Sequence, residues 1–434
     1  MTKTKPSKES SPVAKQPVKQ KTNKPTAAKK PTIRRKKIIA APTAVSDAVK
    51  KSTPNQTDES WLLVKPQPSQ HNYWNWLLVF SIGALGLLLL STAAVVLISP
   101  LANRQPITNN LNPTPTPVLK QNLTALAPLT GLPCETSVVS RRPWAVVVEN
   151  FPTVRPQSGL SFADLIIETP TEGGITRFLA FFQSELPTSL LGPIRSARSY
   201  FNDWARAWSP LFSHSGGSTK ALQQLAKGYG AIQDVNEFSN GPAYQRDERA
   251  DPPHNLFTTA TRFFSYVQQK GWPSQLEVPP LTFTPITAAG ALASSITVPY
   301  QPEDYSARFD YLPNQKVYQR YTNDEKQIDL STGQPIQVTN FIVLVTTITP
   351  LPNDELKRTE IKTLGSGTAL LFTQGQEFIG QWHKDKLDNP LTFTDADGHP
   401  LPLQPGKTWI SVIDSSLQKS LTVNSPTKTG LNVQ

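Results

Sequence analysis

Hydrophobic and polar positions fall into four regimes along the chain. Over residues 1–72 Lys, Pro, Thr, Ser and Ala follow one another without a period. Such a segment cannot bury enough apolar surface to offset its chain entropy, and it is expected to be a disordered tail. Residues 76–99 then run WLLVFSIGALGLLLLSTAAVVLIS, 24 positions without a charge. That exceeds the ~20 residues a helix needs to cross a bilayer core. With Tyr73 and Trp74 at its start, where aromatic rings favour the interface, residues 73–99 are predicted to form a transmembrane helix. The run is too long and too deep in the chain for a cleaved leader. Residues 100–130 lose all pattern again, and NPTPTP at 112–117 marks an extended spacer.

From residue 131 the periods of folded structure appear. Continuous apolar runs at 144–149, 165–168, 176–183 and 211–214 predict buried strands. Between them, Ala197, Tyr200, Phe201, Trp204, Ala205 and Trp208 recur at helical spacing, so a helix is predicted over 195–208 with an aromatic core-facing stripe. A second helix is expected from Thr219 to Lys227 with Ser218 or Thr219 as N-cap, and a third from Thr258 or Thr259 to Gln269, stopped by Gly271. Alternating strands and helices over 131–275 indicate a mixed α/β layered domain. Residues 276–295 read as a linker. Residues 296–415 carry strand patterns only, a mostly antiparallel β domain or an extension of the first sheet, and 416–434 read as a disordered tail.

Charge sharpens this division. The chain holds 43 basic and 32 acidic residues, a formal net charge of +11. Sixteen of the basic and four of the acidic residues precede position 77, which leaves 27 basic and 28 acidic residues beyond it. The excess therefore belongs to the tail. The positive-inside rule then keeps that tail in the cytoplasm and places the remainder outside as a single-pass membrane protein. The near-neutral exported part argues against nucleic acid as a partner. The single cysteine, Cys134, excludes an internal disulfide and any cysteine-built metal site, and it reads as a small apolar residue.

Several segments resemble one known family. RPWAVVVEN (142–150), RPQSGLSFADLIIE (155–168), EGGITRFLAFFQ (172–183), GPIRSARSYF (192–201), HSGGS (214–218), PHNLF (253–257), LGSGTALLF (364–372) and FTDADGHPLPLQPGKTWISV (393–412) occur in family order. They are similar to the YerB-like bacterial envelope lipoproteins, whose N- and C-terminal domains are of unknown function. The resemblance covers roughly residues 128–415. It implies an α/β layered sandwich followed by a mostly β domain, in an envelope of Gram-positive or related type. Family members carry an acylated cysteine after a short leader. Here Cys134 follows Gly131-Leu132-Pro133, which is no lipobox, and a membrane helix takes the place of the lipid.

Arg195 and Arg198 fall in what the periodicity makes the first turn of a helix, where positive charge opposes the macrodipole. Two counter-anions are open: an internal carboxylate from Glu149, Asp164, Glu168 or Glu172, or a ligand carboxylate or phosphate held by the guanidinium forks. His214-Ser215-Gly216-Gly217-Ser218 joins a strand to a helix and offers the Gly216 and Gly217 amides to an anion, without the lysine of a P-loop. Arg177 follows Glu172, and Asp247, His254 and Asn255 lie on a loop stiffened by Pro252-Pro253. The leading expectation is a cleft that binds an anionic cell-wall component, with Arg177, Arg195, Arg198, Gly216 and Gly217 as holders. Glu172, His214, Asp247, His254 and Asn255 complete it. One alternative is an envelope hydrolase for a glycan or phosphodiester, using His214 or His254 with Glu172 or Asp247. Another is a non-catalytic scaffold that docks envelope proteins. No G-x-S-x-G elbow, metal-ligand spacing or cofactor motif is present, so neither metal nor cofactor is expected.

Overall fold

A run such as Trp144–Glu149, in which every residue is buried, belongs in the middle of a sheet covered on both faces. The computed structural model describes residues 125–426. We number the principal strands and helices in chain order: β1 Trp144–Glu149, β2 Leu165–Pro170, β3 Thr176–Phe182, α1 Ser199–Ala205, β4 Leu211–His214, α2 Thr219–Ala226, β5 Gln233–Asn236, β6 Leu256–Thr259 and α3 Ala260–Gln269. They continue as β7 Ser295–Val298, β8 Ala307–Leu312, β9 Val317–Thr322, β10 Asn340–Val345, β11 Gly365–Thr373, β12 Gln376–Lys384, β13 Thr408–Ile413 and β14 Thr422–Asn424.

One large sheet of eleven strands unites both halves. From the short strand Ala291–Leu292 it runs β12, β11, β10, β13, β2, β3, β1, β4, β5, and Thr392–Thr394 pairs with β12. The mostly β region is thus an extension of the α/β sheet. Its joint is the parallel ladder of β13 on β2, where Thr408 faces Leu165 and Ser411 faces Glu168. Strand parity sends Trp144, Val146, Val148, Phe178 and Phe341 to one face, where α3 and a second sheet cover them. That second sheet is six-stranded and contains β9, β8, β7 and β14 in sequence. The intervening residues Ala145, Val147, Leu179 and Ile342 face the other way, against α1, α2 and the 278–281 segment. Trp144 stacks on Phe263 with centroids 4.4 Å apart, and Phe309 on Phe341 at 3.8 Å.

Buried polar bonds fasten the two halves. Arg320 of β9 donates from one nitrogen to both oxygens of Glu168 at 3.0 Å, with both side chains fully buried, and Trp409 Nε1 donates to the same carboxylate at 3.1 Å. Asp329 accepts from the Gly159 and Ser161 amides at 2.9 and 2.7 Å.

Three local expectations change. The helix expected from 195 begins at Ser199, and Arg198 precedes it in extended conformation (φ −130°, ψ 153°). Residues 192–197 instead bridge to neighbouring chain at Val148↔Ile194 and Ala197↔Gly217. Arg195 therefore lies outside any helix, and Arg198 is the N-cap residue of α1 rather than part of its first turn, with Glu172 as its counter-charge. Val278 and Leu281 of the expected linker are buried, and β14, within the expected C-terminal tail, pairs with β7. The basic tail, the apolar run 76–99 and most of the spacer lie outside the described residues. Among the described residues no helix is long and apolar enough to cross a membrane.

Candidate functional site

Strands β1, β2, β4, β5, β10 and β13 all point the same way, with β3 the antiparallel insertion between β2 and β1. Their carboxyl ends share one edge of the sheet, the edge at which open α/β sheets carry ligands. Glu149 ends β1, His214 ends β4 and Asn236 ends β5, while Arg177, the second residue of the antiparallel β3, lies directly opposite Glu149. Topology thus gathers most of the candidate residues at one place.

Two ion clusters form there. In the first, Glu149, 4 % exposed, forms an ion pair with Arg195 Nε at 3.1 Å, without hydrogen-bond geometry, on one oxygen and accepts from His254 Nδ1 at 2.9 Å on the other. Arg195 also donates from a terminal nitrogen to the Pro253 carbonyl at 3.1 Å. Its backbone is fixed as well, with its N–H on Val147 O and its carbonyl accepting from Ser215. The His254 ring lies on Phe151, with centroids 5.3 Å apart and 18° between planes. The outer edges of Arg195 and His254 stay at the surface, with side chains 19 % and 26 % exposed.

In the second cluster Glu172 is gripped by Arg198 and approached by Arg177 at 3.3 Å. Burial opposes ionisation of Glu172, but Arg177 and Arg198 outweigh it and hold its carboxyl below the ordinary range. Burial lowers the Arg177 guanidinium to about 10, and the neighbouring Arg198 charge pushes the same way. Arg177 Nε is buried without a hydrogen-bond partner. For Arg177 and Arg198 the counter-anion is internal, and both are largely buried. Three guanidiniums share two carboxylates across the two clusters.

The remaining expected residues divide. His214 is fully buried, and both ring nitrogens are taken, Nδ1 by Gly216 O at 2.7 Å and Nε2 by Asp234 at 2.8 Å. It holds the β4–β5 junction and presents nothing to a ligand. The Gly216 amide donates to Asn236 Oδ1 at 3.0 Å, and its carbonyl accepts from Ala197. Gly216 adopts φ +61°, with the Phe238 ring 2.8 Å from where a Cβ would be, so this position needs glycine for the turn and for space. Gly217 packs against Ala197 through the backbone bridge. Asp247 is bound by Arg249 at 2.5 Å, and its amide donates to Asn255 O at 2.8 Å. Asn255 accepts from Arg246 at 3.1 Å, Arg246 pairs with Glu237 at 2.7 Å, and Glu237 accepts from Ser215 at 3.0 Å. A polar strip therefore leads from His254 back to the residue beside Gly216. The site residue that sequence reasoning missed in this role is Glu149. It was one of four candidate counter-anions, but its bond to His254 joins positions 105 apart in the chain.

Two other features lie elsewhere. A cavity of about 890 Å³ lined by Leu126, Pro128, Val139, Leu276, Leu281 and Phe283 is apolar and includes none of the candidate residues. Asp395, Asp397 and His399 bring ligand atoms within 4.8 Å of one another on an exposed turn. Asp395 Oδ1 already accepts the Asp397 and His399 amides at 2.9 Å, which accounts for that turn without an ion. Cys134 is buried, and burial raises its thiol above the ordinary value, as suits an inert packing residue.

Comparison with known proteins adds the family context. Residues 129–273 match the N-terminal domain described as "Protein of unknown function (DUF3048)", and residues 296–410 match the corresponding C-terminal domain. The chain is 36 % identical over 290 residues to the Bacillus subtilis (strain 168) protein named "Putative lipoprotein YerB", covering 66 % of this chain and 86 % of that one. The crystal structure of YerB from Bacillus subtilis superposes with a TM-score of 0.63 at 33 % identity, over 69 % of this chain and all of that one.

Proposed function

The chain belongs to the YerB-like (DUF3048) family, and from that footing we propose that it is a membrane-tethered extracytoplasmic protein that binds an anionic group of a cell-envelope component at the carboxyl edge of its large sheet. One observation carries the reading. The buried Glu149 carboxylate fixes Arg195 and His254 side by side and leaves their outer edges at the surface. A guanidinium held that way is a preorganised donor for a carboxylate or phosphate, and His254, whose Nδ1 is taken by Glu149, joins it as a donor from Nε2 in the imidazolium form, so the ordering cost of binding is already met by the fold. Behind them, Arg177 and Arg198 share the single charge of Glu172, so the surroundings stay net positive. The tether is the apolar run 76–99, with the basic tail in the cytoplasm. A lipoprotein name on the Bacillus relative agrees with a membrane-held protein outside the cytoplasm.

The test uses the full chain in detergent micelles with fractionated cell-wall polymer. Arg195→Ala together with His254→Ala is expected to weaken retention at least about tenfold. Unchanged retention overturns the reading. The 2.9 Å contact between His254 and Glu149 also favours a second reading, in which His254 is a general base oriented by the carboxylate in an envelope hydrolase. Release of fragments from the same fractions by wild type, abolished by His254→Ala, is the result that would promote it.

A further inference from the structure

Among the described residues eight large apolar side chains are left well exposed, and only two of them are aromatic, Phe151 and Phe238. Both border the site just described. Phe151, 37 % exposed, follows β1 by two positions and stacks on the His254 ring. Phe238, 77 % exposed, follows β5 by two positions and lies over Gly216, the residue next to Ser215, whose amide bonds the Arg195 carbonyl. Single exposed apolar residues need no explanation, but two rings flanking one cationic edge do. Between them runs the strip of Asn255, Arg246, Glu237 and Ser215, an amide, a guanidinium, a carboxylate and a hydroxyl tied in a chain of hydrogen bonds.

Resting on the anion-binding reading above, we propose that the ligand is an anionic saccharide, a ring sugar bearing a phosphate or carboxylate. Its charge meets Arg195 and His254, and the flat C–H face of a sugar ring lies on Phe238, with Phe151 closing the other side of the cationic edge. The chemistry of the strip selects this class. An aromatic face offers an apolar, weakly negative surface that suits a C–H face. Alternating donors and acceptors suit ring hydroxyls, for which a bare inorganic anion has no counterpart and an acyl chain has no use.

The experiment measures binding of inorganic phosphate and of glucose 1-phosphate to the full chain in detergent micelles by calorimetry. Glucose 1-phosphate is expected to bind about tenfold more tightly than phosphate. Phe238→Ala is expected to erase that preference without changing phosphate binding, because the ring is exposed and supports no core. Phe238→Trp should keep the preference. Arg195→Ala should weaken both probes about tenfold. Equal binding of the two probes, or a preference that survives Phe238→Ala, overturns the saccharide proposal and leaves anion binding standing if Arg195→Ala still weakens both. Binding indifferent to Arg195→Ala, or absent for both probes, overturns the two together.

Discussion

Burying a carboxylate has opposite results at Asp164 and Asp329, and hydrogen bonds make the difference. At Asp329 burial opposes ionisation, but bonds from Ser331, Gly159 and Ser161 outweigh it and hold the carboxyl below its ordinary value. Asp164 receives the Gln183 and Ser184 amides on one oxygen, while the other has no partner. Burial therefore wins and pushes its carboxyl from 3.8 up to about 6. The sign follows from linkage. Between pH ~4 and ~6 the unfolded chain has released this proton and the folded protein retains it, so stability falls as pH rises, by about 3 kcal/mol over the interval. Asp164→Asn removes that slope. Urea midpoints at pH 4, 5, 6 and 7 should show the variant gaining on wild type up to pH 6 and then running parallel to it. A constant difference across the range would mean that Asp164 ionises as an ordinary surface carboxylate. Asp329 and Glu172, both held low, act in reverse: their stabilisation is full above the ordinary carboxylate range and is lost as pH falls through their folded values.

At the scale of elements, caps and periods were legible where the chain speaks for itself. Ser218 was one of two expected caps for α2, and its hydroxyl accepts the Ala221 amide at 3.3 Å. Ser218→Ala should lower stability by about 1 kcal/mol, and Thr219→Ala by clearly less, read as shifts in thermal midpoint. The apolar stretches 144–148, 178–182 and 341–345 announced strands because burial on both faces leaves polar residues, here Glu149, Thr176, Arg177 and Asn340, only at the strand ends. β5 was missed because Gln233, Asp234, Val235 and Asn236 hold a single buried apolar side chain at the sheet edge. The start of α1 was misplaced for another reason. The aromatic stripe from Tyr200 is helical, but the preceding residues are drawn out by backbone bonds to Val147 and Gly216, partners remote in sequence. The same distance hid the Glu149–His254 pair, whereas Arg195 and Arg198 were visible as unusual residues with four carboxylates open as partners and nothing along the chain to choose Glu149 and Glu172 among them.

For the whole molecule, two domains in sequence are one sheet in space. β13 comes from the C-terminal family domain and lies between β10 and β2, and the Glu168–Arg320 pair sits fully buried across the same boundary. Breaking such a pair leaves an uncompensated buried charge, at a cost of roughly 3–5 kcal/mol, and removing either half would also open a strand edge. Residues 125–426 should therefore unfold in one cooperative step, with calorimetric and van't Hoff enthalpies agreeing. Two separate transitions would show that the halves are independently stable. This joint was the least legible feature, since nothing in a strand's own pattern says which distant strand it will flank.

The place of β13 also sets an order of events. It is the last strand of the large sheet to emerge as the chain is made. Until it arrives, β2 and β10 have no strand between them, and each offers a bare row of amides and carbonyls to any other extended chain. The centre of the sheet is completed only when the polypeptide is almost finished, so early portions cannot settle while the rest is still being synthesised. A nascent chain halted just before residue 408 would carry its most adhesive surface in its middle, open to a neighbouring copy.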